Sequence, residues 1–523
     1  MRFGVFGVWL LGMSVMAMAA NPLQVKTDKG VVEGGLTTDG KVVAFKGIPF
    51  AAPPVGELRW QPPQPAAAWK GVREANEFGA HCIQAAVYND MRFRDAGPSE
   101  DCLTLNVWAP AGAKRGSLPA MVWIYGGGFQ GGGTSEPRQD GQFLAHRDVV
   151  VVSMNYRLGI FGFFAHPGLT AESAHHASGN YGLMDQAAAI AWVARNIAEF
   201  GGDAKNITIF GESAGSQSVS LQLASPMAQG LIAKAIGESG GALYYDGGPR
   251  DQLREVSEKE DAEFGEKLLH AMTVAELRKV SAEELRWAEM DKAHGAPTFR
   301  PNVDGYFLPE RTATIYAKGK QAHVPLLAGW NADESREGVM KPVPPTMESW
   351  RAQAAKEFGA DAHGLLAAYG AASDDEAVRA AGDYAGDKFI EYATWRWLEA
   401  QVKTGGKPVY RYRMDLVPPV DRFHDSGAGV FHSNDIEYVF GVVDSRLDMT
   451  VRPEDRALSE QMGAYWTNFA KTGDPNGPGL PQWPVYGPEQ WMVMHLDATS
   501  AAKPDDHRAR YLFLDSIWGK PRN

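Results

Sequence analysis

The chain has 523 residues, 44% hydrophobic and 22% charged, with 58 glycines and 32 prolines that imply many turns and long loops. Length alone suggests about three domains, but no repeat, low-complexity run or linker-like segment divides the chain, so disorder is excluded and one large domain with insertions is expected. The formal net charge is −12 with no Lys/Arg cluster, which excludes a nucleic-acid binder and favours a soluble surface.

The N-terminus reads as a cleavable signal peptide spanning residues 1–20. Arg2 supplies the positive region, Val5 to Met18 the short apolar region, and Ala17-Met18-Ala19-Ala20 the small residues a signal peptidase needs. Cleavage is expected near Ala19 or Ala20, leaving residues 21–523 as a single domain; an uncleaved tether is the alternative. No later apolar run reaches the roughly 18 residues of a membrane span, so no stable membrane anchor is expected, and the chain is read as secreted or periplasmic. In an exported chain the two cysteines, Cys82 and Cys102, are natural disulfide partners. Closing a loop of about twenty residues contributes roughly 3 kcal/mol in the chain-entropy picture; two free thiols are the alternative. Neither cysteine sits in a CxxC pair, and His81 beside Cys82 does not make a plausible zinc ligand set, which argues against redox catalysis and zinc.

From Leu23 to Phe50, short β segments such as Gly30-Val31-Val32 and Lys41 to Phe45 suggest a small antiparallel sheet. Pro53-Pro54 and Pro62-Pro63 mark an irregular stretch, and Leu103 to Trp108 is a strand. Ala120 to Tyr125 is an apolar run that ends in three glycines. Val149 to Met154 is almost continuously apolar, as a strand buried on both faces of a parallel sheet must be. Asp185 to Phe200 has helical spacing, Ile207 to Phe210 is a strand, and Ala214 to Leu223 is the next helix. This alternation predicts a mostly parallel, doubly wound α/β sheet. Val324 to Ala328 and Val409 to Met414 are further strands. The helical stretches Arg250 to Glu289 and Met347 to Glu399 read as insertions forming a gorge or lid over the strands' C-terminal edge.

The strongest local signal is Gly211-Glu212-Ser213-Ala214-Gly215, a G-x-S-x-G pattern with a strand before it and a helix after it. In that context the serine sits on a strained turn that presents its hydroxyl at the sheet's edge, and Ser213 is the candidate nucleophile. The run Tyr125-Gly126-Gly127-Gly128-Phe129 follows another strand, where glycines let amides point inward with no Cβ in the way. Gly127, Gly128 and Ala214 N–H groups are the candidate oxyanion donors, each worth about 3 kcal/mol of transition-state stabilisation. A phosphate loop is disfavoured because no Gly-Lys-Ser/Thr follows. On an α/β-hydrolase fold the partners follow in the order serine, acid, histidine. That order points to Asn331-Ala332-Asp333-Glu334 for the acid and to Gly429-Val430-Phe431-His432-Ser433 for the base. Position alone does not separate Asp333 from Glu334. His424 competes with His432, while His495 reads as core. The aromatics Phe129, Tyr244, Tyr245 and the tryptophans of the 390s are candidate pocket walls, each more often plain core.

These residues carry a family resemblance. Phe45-Lys46-Gly47-Ile48-Pro49 with Ala52-Pro53-Pro54, Ser99-Glu100-Asp101-Cys102-Leu103, Asn155-Tyr156-Arg157, Gly179-Asn180-Tyr181-Gly182-Leu183 and Phe200-Gly201-Gly202-Asp203 accompany the serine motif. The chain resembles type-B carboxylesterases, the group that includes bacterial para-nitrobenzyl-type esterases and cholinesterases, over nearly its whole mature length. The resemblance implies Glu334 as the triad acid, His432 as the base, Glu212 and Ser239 beside the triad, and pairing of Cys82 with Cys102. Ser335 stands where the family usually has glycine, a change expected to alter the local turn more than the chemistry.

The implied reaction is hydrolysis of a small-molecule carboxylic ester through an acyl-enzyme, with no metal or organic cofactor and a monomer as the default state. An amidase, a lactonase or a polyester-oligomer esterase would use the same triad. A catalytically inactive binding module is the reading from another class, and such relatives typically lose the nucleophile. A peptidase needs an extended cleft, of which the sequence gives no sign.

Overall fold

The computed structural model describes residues 21–244, 252–424, 427–446 and 448–519. The expected signal peptide and Tyr245 lie outside these residues. Among the described residues eleven strands form the central sheet: β1 (Gly35–Leu36), β2 (Val42–Pro49), β3 (Thr104–Pro110), β4 (Leu118–Ile124), β5 (Val150–Met154), β6 (Gly202–Glu212), β7 (Lys234–Glu238), β8 (Leu326–Asn331), β9 (Val409–Met414), β10 (Met492–Leu496) and β11 (Ala501–Pro504). Their spatial order is β11-β10-β9-β8-β7-β6-β4-β5-β3-β2-β1. Every pair from β5 to β10 is parallel, and only the edges, β1 to β3 and β11, run antiparallel. The sheet is therefore an α/β-hydrolase fold, mixed but mostly parallel.

Central strands with helices on both faces must be apolar throughout. All five residues of β5 and all six of β8 are buried. Two helices cover the centre, Tyr181–Asn196 and Ala214–Ala224. The second is almost wholly buried, and its Ala, Gly and Ser residues suit a helix enclosed on nearly every side. Chain order reverses at β4: β5 lies on one side of it and β6 on the other. Such a switch point opens a crevice beyond the strands' C-terminal ends. The register aligns those ends, with Gly211 opposite Ile124, Glu212 opposite Glu238, Glu238 opposite Gly329, and Asn331 opposite Met414.

The structure corrects two local readings. Val42–Pro49 is not part of a separate antiparallel sheet; it pairs with β3 and joins the central one. Outside it lie a three-stranded sheet, in which Val31–Glu33 pairs antiparallel with Gln24–Lys26 and parallel with Val72–Glu74, and a two-stranded one of His81–Cys82 and Pro98–Ser99. The helix expected from Asp185 begins a turn earlier, at Tyr181, and closes as a 3-10 turn over Ile197–Phe200. Cys82 and Cys102 form a disulfide, which closes a loop over 20 positions of sequence. Tyr88, Asn89 and Met91 in that loop line the cavity above the crevice, so the cross-link also braces a cavity wall. Among the described residues no helix is long and apolar enough to cross a membrane.

Candidate active site

Ser213 follows β6 directly and precedes the helix Ala214–Ala224 at φ 55° and ψ −122°. A non-glycine residue held there costs about 1–3 kcal/mol, and surrounding structure must over-determine it. Its N–H donates to the Glu238 carbonyl at 2.8 Å, and its carbonyl accepts the Gln217 N–H at 2.9 Å. The flanking glycines are required by close approach. A Cβ on Gly215 would lie 1.9 Å from the Ile124 oxygen, and one on Gly211 would lie 2.5 Å from the same atom. Gly240, which no sequence pattern singled out, packs on the Ser213 carbonyl in the same way, with 2.3 Å left for a Cβ.

The glycine run after β4 turns through positive φ at Gly127 (97°) and Gly128 (63°). The Gly127 carbonyl accepts the N–H groups of Gln130 and Gly131, which closes the turn. Gly127, Gly128 and Ser213 line one cavity of about 530 Å³. The Ala214 N–H opens a helix, so it has no intrahelical acceptor.

His432 lies in the loop after β9. Its Nε2 is 2.8 Å from Ser213 Oγ, and its Nδ1 is 2.5 Å from Glu334 Oε2. The other Glu334 oxygen accepts the Ser239 hydroxyl at 2.5 Å and the Asn331 N–H at 2.7 Å. Asp333, left open against Glu334 by position alone, points elsewhere. Its carboxylate accepts the Val430 N–H at 2.9 Å and its own N–H donates to the Val430 carbonyl at 3.0 Å, which ties the acid loop to the histidine loop. Asn331 adds to this tie by donating to the Phe431 carbonyl and to Asp435. Ser335 has φ −137°, a conformation open to any residue, so glycine is not required there. His424 bonds Asp421 and stacks on Phe431 at 3.6 Å, while His495 is buried on β10 against Asp415.

Buried carboxyl groups crowd the base of the site. Burial pushes the Glu212 carboxyl up to about 8. Burial pushes Glu238 well above the usual carboxylate range, and Asp435 up to about 6. Burial alone would lower the His432 imidazole, but the fields of Glu212 and Glu334 outweigh it and raise the group to about 9. Glu212 Oε1 lies 3.2 Å from His432 Nε2, close enough for an ionised Glu212 to favour the imidazolium. Glu212→Gln removes a negative neighbour, which disfavours the imidazolium. The acid limb of the kcat/KM–pH profile is therefore expected to move down by about one unit; an unmoved limb would show that Glu212 does not charge the site.

The cavity walls match the sequence expectation in part. Phe129 and Tyr244 line it, whereas Trp395 and Trp397 are buried core. Of the two helical insertions, Phe389 and Gln252 reach the cavity, and more of the wall comes from Arg300 to Val303, Leu308 and Thr312. No periodicity or motif marks these segments. Among the described residues no group of three or more His, Cys, Asp or Glu side chains could hold a metal ion.

A model of the carboxylesterase family matches residues 21–513. The chain is 37% identical to the fumonisin B1 esterase of Sphingopyxis macrogoltabida, with 91% of this chain and 88% of that one covered. It is 34% identical to the para-nitrobenzyl esterase of Bacillus subtilis, over 94% of this chain and 98% of that one. A crystal structure of a carboxylesterase from Geobacillus stearothermophilus superposes with a TM-score of 0.80 at 33% identity, over 94% of this chain and all of the other.

Proposed function

From the premise that this chain belongs to the carboxylesterase family and is a carboxylic ester hydrolase, we propose that Ser213, His432 and Glu334 are its catalytic triad. The observation that carries this reading is the continuous hydrogen-bonded chain from Ser213 Oγ through the imidazole to a buried carboxylate. Ser213 Oγ attacks the ester carbonyl while His432 Nε2 takes its proton. The imidazolium then protonates the leaving alcohol, and water, activated by the same nitrogen, releases the acid from the acyl-enzyme. Glu334 accepts the Nδ1–H and so fixes the tautomer. The amides of Gly127, Gly128 and Ala214 receive the oxyanion, each worth about 3 kcal/mol in the transition state. The positive φ of the two glycines and the free first turn of the helix support this assignment. Glu212 and Ser239 act beside the triad, the first through its charge near Nε2 and the second by holding Glu334.

The cavity lies in the size range of a small-molecule site. The relatives named for fumonisin B1 and para-nitrobenzyl esters favour a carboxylic ester as substrate, with one chain as the functional unit. Residues 1–20 act as the export leader of a secreted or periplasmic enzyme whose single domain spans 21–523; the disulfide supports an oxidising compartment. The direct test is turnover of p-nitrophenyl esters of rising acyl length, alongside labelling with an organophosphate probe. Turnover of short esters with one label on Ser213 is expected, and the chain-length profile then measures the acyl pocket. A properly folded chain inert towards every ester and towards the probe would overturn the reading.

A further inference from the structure

Between the helices Asp374–Gly386 and Tyr392–Thr404, the segment Asp387–Glu391 winds as a π-helical turn. The Tyr392 N–H reaches back five residues to the Asp387 carbonyl. Such insertions are rare and recur at functional sites. Phe389 projects from this turn, lines the cavity, and packs edge-to-face on the His432 imidazole with ring centroids 4.8 Å apart. The turn also abuts the acid: a Cβ on Gly386 would lie 2.3 Å from Glu391 Oε1 and 3.5 Å from Glu334 Cβ.

The turn carries two buried carboxyl groups, Asp387 and Glu391, whose side chains are 0% and 4% exposed. Burial raises both above the usual carboxylate range, and a cation beside them offsets this by favouring their ionised forms. Arg510 does so from the C-terminal helix Arg508–Trp518. Its guanidinium lies 2.6 Å from Asp383, 3.4 Å from Asp387 and 3.7 Å from Glu391, and is itself 5% exposed. The Tyr369 hydroxyl donates to Asp387 at 2.5 Å and the Tyr511 hydroxyl to Glu391 at 3.1 Å, so the clamp is closed on several sides.

The histidine has a reason to need such support. Its Nε2 lies near two oxygens, Ser213 Oγ at 2.8 Å and Glu212 Oε1 at 3.2 Å. A small rotation of the ring exchanges one for the other. We propose that Arg510 and Phe389 are positioning residues for His432: Arg510 clamps the π-turn through Asp387 and Glu391, and the turn holds the Phe389 ring against the imidazole so that Nε2 stays on Ser213. This rests on the reading of His432 as the base.

The test uses the full chain with p-nitrophenyl acetate, an acyl group small enough to make little use of the cavity wall. For Phe389→Leu, kcat is expected to fall about tenfold. The rate of phosphonylation of Ser213 should fall in parallel, with KM changed by less than about twofold. Arg510→Gln should do the same, Arg510→Lys should restore part of the loss, and the double variant should be no slower than the slower single one. Should Arg510→Gln not fold, Asp383→Asn serves instead: its side chain is 22% exposed, it removes the nearest clamp partner, and kcat should again fall. A Phe389→Leu change confined to KM, multiplying losses in the double variant, or an unmoved kcat in Asp383→Asn would overturn the proposal. If His432→Ala kept full activity, the triad reading itself would fail, a result distinct from all of these.

Discussion

Ser213→Ala is expected to lower kcat on p-nitrophenyl esters by on the order of 10⁵-fold or more, and to abolish the burst of p-nitrophenol that marks acyl-enzyme formation. The methyl group leaves nothing at the end of the proton path, since His432 Nε2 then faces an apolar atom where the hydroxyl stood at 2.8 Å. The fold should survive, because Ser213 is held by its backbone, through the Glu238 carbonyl and the Gln217 amide, and its side-chain oxygen caps no helix amide. A measured Tm close to wild type, together with a residual rate still above that in water, is therefore part of the expected result. That residue of activity is expected from the proposed oxyanion donors, which the substitution leaves in place. Retention of the burst would mean that a different nucleophile forms the acyl-enzyme.

Glu334→Gln is expected to lower kcat by about 10⁴-fold with little change in KM, through the tautomer of a neighbour and not through a lost contact. The Asn331 N–H at 2.7 Å is a fixed donor, and the Ser239 hydroxyl at 2.5 Å bonds the same oxygen. The fixed donor requires the amide oxygen of a glutamine on its side. The amide NH₂ then faces His432 Nδ1, which can pair with it only as an acceptor. The ring proton moves to Nε2, and that nitrogen can no longer take a proton from Ser213. Flipping the amide would instead place two donors, its NH₂ and the Asn331 N–H, against each other. The rate should climb again at high pH if hydroxide substitutes for the missing base. Wild-type activity in this variant would remove Glu334 from the triad and return Asp333 as the candidate, although Asp333 now bonds the Val430 backbone.

The parts legible in sequence were those whose requirement is local. Strand β5 had to be apolar on both faces, and Gly211 and Gly215 had to lack a Cβ because the end of β4 passes against them. A Gly-rich turn after one strand and a serine turn after another are written in a few consecutive residues, so motif and chain order sufficed to nominate Ser213, the glycine run and His432. The Cys82–Cys102 pairing was equally accessible, since only two cysteines exist. The edge strands were misread because pairing partners, unlike strand propensity, are not local: Val42–Pro49 pairs with residues about sixty positions away in β3.

What only the tertiary structure decided is which side chain faces which. Glu334 meets His432 across 98 positions of sequence and His432 meets Ser213 across 219, so their contact depends on how three loops leave the aligned ends of β6, β8 and β9. Asp333 and Glu334 are adjacent and chemically alike, and successive residues leaving a strand point in different directions. One reaches the imidazole and the other reaches the backbone of the histidine loop. Phe389 and Arg510 carry no motif at all, because their part is set by a π-turn and a C-terminal helix that become neighbours of the site only once the sheet is folded. Local sequence determined the turns that can present a nucleophile and an oxyanion hole; packing of distant segments, with their buried charges neutralised in place, decided the orientation that joins them into one site.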